Sequence, residues 1–363
     1  MHPHLNVKGG SERLTKVLID GLHARYPDNE YLIVTGVYTE DWFGKYANKI
    51  KLLKLGMTAE ELKDALESIC RDFQPDVAIV MVQEPYYCHI IRTACPRARV
   101  CMYVHFPIDE EISEENLREY EKHLRYPTLT PKYIDSPHVI VTNSRRTKLA
   151  VDMLWPCDSR VVYPCIDDIF FREEPDLEKR RENVVLYVGR FVALKRQDVL
   201  LAMLPQLKQE VPDVHIVIAG FVDPRHTEYY EHVKSIVEEL QDKYKDVELV
   251  PSPSDEKLLE LYRLAKVYVH LRIGEHFGMA PVEAMSQGVP FVMRLPTGLA
   301  EVFMHGQHGF FVESDYAFLK YTVRLLKLSH DEYLKMSKTV VEAARRFTST
   351  TFAEEMMRVL LTR

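Results

Sequence analysis

The sequence predicts an α/β protein built from two parallel-sheet domains, and three observations carry that prediction. From Tyr31 onward, short apolar runs alternate with longer amphipathic stretches, the pattern of strands joined through helices. Two such series occur, meeting near Tyr163-Pro164. At 363 residues the chain exceeds one ordinary core and suits two domains of usual size. The expected division is 1–164, 165–346 and a C-terminal helical segment, 347–363.

In order along the chain, Met1-His2-Pro3-His4-Leu5 is at best a stub before Lys8-Gly9-Gly10, so the central strand of the first sheet is expected to be missing or truncated by a start that lies downstream of the true one. A helix begins near Ser11. The first series of strands is Tyr31–Gly36, Lys49–Leu55, Asp76–Val82, Arg99–Val104 and His138–Thr142. Ser144 caps the helix that follows. The second series is Val184–Gly189, His215–Ala219, Val247–Val250, Val267–Leu271 and Pro290–Met293. From Phe347, with Thr348 to Thr351 as caps and an apolar face at Phe352, Met356, Val359 and Leu360, the tail reads as a last helix.

Composition narrows the function classes. The fractions of hydrophobic residues, 46%, and charged residues, 28%, are those of a globular protein, and the net charge of −7 excludes a general nucleic-acid binder, which needs a basic face. Six cysteines, at 70, 88, 95, 101, 157 and 165, contain no C-x-x-C pair and no metal-ligand spacing with histidines. Reduced thiols in a cytoplasmic setting are expected, and several sit in apolar runs as small hydrophobes. No apolar stretch approaches the ~18 residues of a membrane span.

The segment Gly274-Glu275-His276-Phe277-Gly278-Met279-Ala280-Pro281-Val282-Glu283 says most about chemistry. It follows the buried strand Val267–Leu271 and leads into a short helix, with Pro281 expected at the first helical position and Gly288 just past the end. The amides of Phe277, Gly278, Met279 and Ala280 would then point from a helix N-terminus at an anion such as a phosphate. Two carboxylates beside that phosphate suit neutral hydroxyls, and a ligand with a hexose at one end, a ribose at the other and phosphates between satisfies the whole arrangement. Two glutamates at an arbitrary spacing are more often solvated charges; the surrounding glycines and proline reverse that preference. As a surface carboxylate, Glu275 is expected to matter for transfer and little for folding.

Gly189-Arg190-Phe191-Val192-Ala193-Leu194-Lys195 follows the first strand of the second series, so Arg190 and Lys195 fall at the carboxyl edge of a sheet, where open α/β folds bind ligands. A nucleoside diphosphate leaving group needs such cations. No D-x-D occurs, so no metal and no other cofactor is expected, and these side chains would substitute for a divalent ion. Alone the pair reads equally well as a solvated loop. Gly9 and Gly10 permit close approach of backbone to phosphate or sugar, although two adjacent glycines are as often a plain turn. His105 closes the strand Arg99–Val104 ahead of Phe106-Pro107; a strand histidine is usually a core residue, and its place at the carboxyl end shifts the balance toward a site.

The stretch from Gly274 to Glu301 resembles the E-x7-E pattern of the retaining glycosyltransferases of family 4, which have the GT-B fold. It departs at Leu295-Pro296-Thr297-Gly298-Leu299-Ala300, where members often carry two adjacent glycines. The resemblance implies two Rossmann-like domains facing a cleft and a C-terminal helix crossing back to the first domain. It assigns Glu275 to the transferred hexose, Glu283 to the ribose, Arg190 and Lys195 to the diphosphate, and Val250 and Pro251 to the nucleobase through backbone contacts. Tyr103-Val104-His105-Phe106-Pro107 is similar to the family's cleft histidine, and His105 is assigned to positioning and polarity. Around Val141-Thr142-Asn143-Ser144-Arg145-Arg146-Thr147, Asp152-Met153-Leu154-Trp155 and Val161-Val162-Tyr163-Pro164 the chain looks like mannosyltransferases that extend lipid-linked oligosaccharides, which favours GDP-mannose as donor and a glycan or lipid-linked acceptor.

Rival readings are transfer from UDP-glucose or another nucleotide sugar, and a non-catalytic nucleotide-sugar-binding module. A dinucleotide-dependent oxidoreductase would also give parallel sheets, but no G-x-G-x-x-G follows a strand. The basic and aromatic stretch Trp42, Phe43, Lys45, Tyr46, Lys49, Lys51 and Lys54 suits peripheral contact with the cytoplasmic face of an anionic membrane. It reads more commonly as an edge strand with solvated lysines.

Overall fold

The computed structural model describes residues 1–106, 133–179, 181–223 and 227–362. The chain forms two compact units, Met1–Cys165 with Ser349–Arg363, and Ile166–Thr348.

The first unit runs through β1 (His4–Leu5), α1 (Gly10–Arg25), β2 (Ile33–Thr35), β3 (Val37–Tyr38), α2 (Glu40–Phe43), β4 (Ile50–Leu52), α3 (Ala59–Phe73), β5 (Val77–Val80), α4 (Pro85–Ala94), β6 (Arg99–Val104), β7 (Val139–Thr142), α5 (Arg145–Leu154) and β8 (Arg160–Val161). Pairing is parallel throughout but divided into three ladders, β1-β3, β2-β4 and β5-β6-β7-β8. Caps fix the helix starts. Thr58 and Glu61 form a reciprocal capping box on α3, and the Ser144 hydroxyl accepts from the Thr147 amide at 3.1 Å. Along β6 the side chains alternate. Val100, Met102 and Val104 join the core with Val80, Ile90 and Ile140, while Tyr103 on the opposite face meets Phe352 of the C-terminal helix Ser349–Leu361 edge-on at 5.9 Å. Phe352, Met356 and Leu360 of that helix are buried, and it packs on α1. All six cysteines are free thiols and five are buried.

Where the central strand of the first sheet was expected to be missing or truncated, residues 1–5 run as a short stub that still bonds on both sides. The His2 amide donates to the Val34 carbonyl at 3.1 Å and the Gly36 amide to the Pro3 carbonyl at 2.9 Å, while on the other side the Met1 ammonium donates to the Ile79 carbonyl at 2.6 Å and the Met81 amide to the Met1 carbonyl at 2.8 Å. Short as it is, the stub ties Ile33–Gly36 to Ile79–Met81. Leu5 anchors it in a cluster with Ile33, Trp42, Phe43 and Tyr46. Those three aromatics are therefore core residues, which corrects their expected part in a membrane-facing surface. Only the lysines of that stretch point outward; Lys45 pairs with Asp20 at 2.7 Å and Lys49 lies over the Tyr31 ring at 5.6 Å.

The second unit holds β9 (Val184–Val188), α6 (Gln197–Ala202), α7 (Leu204–Glu210), β10 (His215–Gly220), α8 (Glu228–Tyr244), β11 (Val247–Pro251), α9 (Asp255–Leu264), β12 (Val267–His270), α10 (Met279–Ser286), β13 (Phe291–Arg294), β14 (Gly309–Val312), α11 (Asp315–Leu326) and α12 (His330–Ala344). Its six strands form one parallel sheet in the order β11-β10-β9-β12-β13-β14. Val185, Tyr187, Ile216, Ile218, Val267 and Val269 make the centre of its core. The edge strand β14 was not expected, because Gly309-Phe310-Phe311-Val312 is four residues long and has no polar alternation. Strands β10 and β11 add on one side of β9 and β12 to β14 on the other, so the direction in which strands are added reverses between β9 and β12. Ligands of such sheets bind outside the carboxyl ends of the strands at this switch point.

Candidate active site

Two loops leave the switch point of the second unit, Gly189–Lys195 after β9 and Leu271–Gly278 after β12. They bring Lys195 and Glu275 together: the ammonium lies 2.5 Å from Glu275 Oε2. His270, the last residue of β12, places Nε2 2.9 Å from the same oxygen. An ionised carboxylate only accepts, so the imidazole proton is assigned to Nε2, leaving Nδ1 3.4 Å from the Tyr268 hydroxyl, which itself donates to the Val188 carbonyl at 3.0 Å. The Lys195 carbonyl accepts from the Tyr187 hydroxyl at 2.6 Å, so both ends of the pair are braced from the sheet. The turn at 295–298 braces it again, for the Gly298 amide donates to the Glu275 carbonyl at 3.0 Å and the Gly274 amide to the Pro296 carbonyl at 3.1 Å.

Glu275 is 8% exposed, which corrects the expectation of a surface carboxylate. Burial works against its charge, but the field of Lys195, the His270 hydrogen bond and the nearby Arg272 outweigh it and hold its carboxyl well below the usual range. Burial pushes His270 down to about 4, with Lys195 adding to the effect, so the ring is neutral near pH 7. The result is a buried, fixed anion with one cation and one neutral donor on it. Removing either charged partner would strand the other.

The helix start beyond it differs in detail from the expectation. Helix α10 begins at Met279, so Pro281 occupies its third position rather than its first; the first turn has no intrahelical acceptors for its amides, and the proline fits there equally well. Gly278 takes φ +97°, a conformation side chains disfavour, to turn the chain from the strand loop into the helix. Glu283, 4% exposed, accepts from the Tyr262 hydroxyl of α9 at 2.7 Å. It is thus held in the helix interior.

Arg190 is exposed on the loop after β9, whose carbonyl at Arg190 accepts from Gln197 Nε2 at 3.1 Å. Val250 and Pro251 end β11, opposite Ala219 and Gly220 of β10. Gly220 permits the approach of the β9 loop, since a Cβ there would stand 1.9 Å from the Gly189 carbonyl oxygen. In the first unit Gly9 is the N-cap of α1 and Gly10 its first residue, one position earlier than expected. His105 follows β6; its Nε2 lies 2.9 Å from the Met81 carbonyl, and its own carbonyl accepts from Asn143 Nδ2 at 2.7 Å. Burial pushes its ring down to about 4, so it is a neutral donor. Pro107 lies outside the described residues.

Sequence reasoning missed His270, Tyr262, Tyr187 and Tyr268. Tyr187, Tyr268 and His270 sit inside apolar strand runs and Tyr262 on the amphipathic helix α9, and the one available cue was the polar ring of His270 at the carboxyl end of a buried strand. Among the described residues no three His, Cys, Asp or Glu side chains are grouped to hold a metal ion.

Residues 169–347 match the family model for glycosyl transferases group 1. The protein is a glycosyltransferase, and its second unit carries the group 1 domain. The glycosyltransferase is 26% identical over 290 residues to the mouse (Mus musculus) alpha-1,3/1,6-mannosyltransferase ALG2, an alignment covering 74% of this chain and 69% of the mouse protein. It is 24% identical over 215 residues to a Dictyostelium discoideum GDP-Man:Man(3)GlcNAc(2)-PP-Dol alpha-1,2-mannosyltransferase, covering 56% of this chain and 42% of that one. Its fold is GT-B, with two Rossmann-like domains. It resembles the crystal structure of Anabaena HepE in complex with UDP-glucose, with a TM-score of 0.77 at 16% identity over 99% of this chain and 98% of the other. Sucrose-phosphate synthase from Thermosynechococcus elongatus gives a TM-score of 0.76 at 17% identity over 97% and 92%.

Proposed function

We propose that the glycosyltransferase is a retaining α-mannosyltransferase that takes mannose from GDP-mannose without a metal ion and adds it to a lipid-linked oligosaccharide. The observation that carries this reading is the buried Glu275 carboxylate, charged and fixed by Lys195 and His270 at the switch point of a parallel sheet. A fixed anion of this kind accepts hydrogen bonds from the hydroxyls of a hexose and gains strength as the ring turns toward an oxocarbenium-like state. Lys195 has three N–H donors and gives one to Glu275, leaving the others for a phosphoryl oxygen. Arg190, on the same loop, adds a second cation for the diphosphate, and the amides of Phe277, Gly278 and Met279 at the entry to α10 a third source of positive potential.

Glu283 is suited to ribose hydroxyls and the ends of Val250 and Pro251 to the base. Gly9 and Gly10 would admit a phosphate or sugar close to backbone, and neutral His105, whose Nε2 proton is on the Met81 carbonyl, would accept from a sugar hydroxyl through Nδ1. In transfer, the bond from the anomeric carbon to the β-phosphate oxygen breaks, a bond to the acceptor oxygen forms on the same face, and the acceptor proton passes to the departing phosphate. The mannosyl donor and lipid-linked acceptor are supported by the mouse and Dictyostelium relatives. Peripheral membrane contact fits the edge of β4, where Lys51, Leu52, Lys54 and Leu55 are exposed, Leu52 to 56%.

The test is a donor panel of GDP-mannose and UDP-glucose in EDTA with a lipid-linked trisaccharide acceptor, read by mass and by the anomeric proton coupling. An α-linked mannosyl product is expected. An inverted product, transfer only from UDP-glucose, or loss of turnover in EDTA would overturn the corresponding part of the proposal. Flotation with phosphatidylserine vesicles, lost in Lys51→Glu with Lys54→Glu, tests the membrane contact.

A further inference from the structure

A cavity of about 410 Å³ opens in the first unit, and its rim includes Arg99, Asp135, His138, Asp158, Arg160 and Arg358. Strand β6 runs from Arg99 toward His105, so at about 3.3 Å per residue the two lie roughly 20 Å apart, at opposite ends of one strand. This cavity is therefore separate from the His105 end of the sheet. The Arg99 side chain is held in place by its Nη2, which donates to the Thr362 carbonyl at 2.6 Å, while its Nε is buried without a hydrogen-bond partner. His138 Nδ1 accepts from the Val100 amide at 3.0 Å, which puts the ring proton on Nε2 and makes that atom a donor. Burial, then Arg92 and Arg99, hold this ring below its ordinary value, so it is neutral near pH 7.

Two of the charged groups on the rim are paired with residues beside it. Asp158 accepts from Lys148 at 2.7 Å, and Arg358 is paired with Glu355. That leaves Arg99, Arg160 and His138 lining the space with Asp135. We propose that this cavity binds a phosphate monoester, its phosphoryl oxygens on Arg99, Arg160 and His138 Nε2. Two guanidinium groups and an imidazole N–H match the three oxygens of a dianionic phosphoryl group. The volume exceeds that of phosphate, and Ile134, Pro137 and Val359 provide apolar wall for an organic body.

The experiment follows the His138 ring resonances of the full chain by NMR while inorganic phosphate replaces chloride at constant ionic strength and pH 7.5. A saturable shift is expected, with at least a fivefold weaker midpoint in Arg160→Gln, a substitution at an exposed position. Arg99→Gln should abolish the shift if that variant folds. No saturation, an equal shift with chloride, or an unchanged midpoint in Arg160→Gln overturns the proposal. Two further arms identify the source of the phosphate. Saturation by glycerol 3-phosphate without retention on phosphatidic acid vesicles assigns a soluble ester, and Arg160-dependent retention on those vesicles assigns a lipid headgroup.

Discussion

The two units solve the same architectural problem to different degrees. In the second unit six parallel strands form one sheet, and the candidate site residues at its switch point are held by side chains from a strand, a loop and a helix around it: Glu275 by His270 and Lys195, Glu283 by Tyr262. In the first unit the pairing breaks into three ladders joined by the stub at residues 1–5; the His105 ring is held by the Met81 carbonyl and its main-chain carbonyl by the Asn143 side-chain amide. The difference teaches that a continuous sheet can carry a buried charge, because its neighbours are fixed well enough to neutralise it. A sheet joined by a short segment carries a neutral donor instead.

Predictions that would break or sharpen this contrast begin with the charge itself. Glu275→Gln should lower transfer by about a hundredfold or more and also destabilise the second unit by about 3 kcal/mol, since Lys195 is left buried without its counter-charge. Initial rates and urea unfolding measure the two effects. In a double-mutant cycle with Lys195→Met the losses should fall short of additivity by more than about 0.5 kcal/mol; additive losses would show that the pair is not coupled.

Next come the two places where each sheet is joined. Leu5→Ala, at the anchor of the stub, should destabilise the first unit by about 2–4 kcal/mol, and Gly220→Ala should act on the second by about 1–3 kcal/mol through the clash with the Gly189 carbonyl. Calorimetry should show each substitution moving a different transition. If both move the same one, the units do not unfold separately.

Acid should separate the units as well. His2 and His105 in the first unit are pushed down to about 3 and about 4, and His270 in the second to about 4. Each folded value lies below the unfolded one, so the unfolded chain binds protons first as pH falls from 6.5, and stability present above that pH is lost down to the folded value. Each histidine contributes a slope of about 1.4 kcal/mol per pH unit in that window, which makes the first unit the more acid-sensitive. Unfolding midpoints at pH 7.5 and 5 check this, and His270→Gln should flatten the response of the second unit alone. The smallest effect expected is from Tyr262→Phe, about 1 kcal/mol in stability with a severalfold loss of donor affinity, read by calorimetry with GDP-mannose.

Much of this was legible before any coordinates. The ten strands read from apolar runs are present, several with their ends moved, because a buried parallel strand is a run of β-branched and apolar residues with little else to be. Glu275, Glu283, Arg190 and Lys195 were singled out by glycine and proline punctuation around them. The edge strand β14 escaped. So did the inward turn of Trp42, Phe43 and Tyr46, since aromatics beside lysines read alike on a surface and over a small core.

The sequence by itself determined the class of fold and singled out the neighbourhood of the candidate site, because strand and helix periodicities and turn residues are local properties of the chain. Tertiary structure alone decided which charges meet. Lys195 and Glu275 are eighty positions apart, and only the crossing from β9 over β10 and β11 back to β12 sets them 2.5 Å apart in a buried place where His270 can share the carboxylate. Whether a carboxylate is a solvated charge or a fixed anion depends on that burial and those partners, and neither is written in the residues next to it.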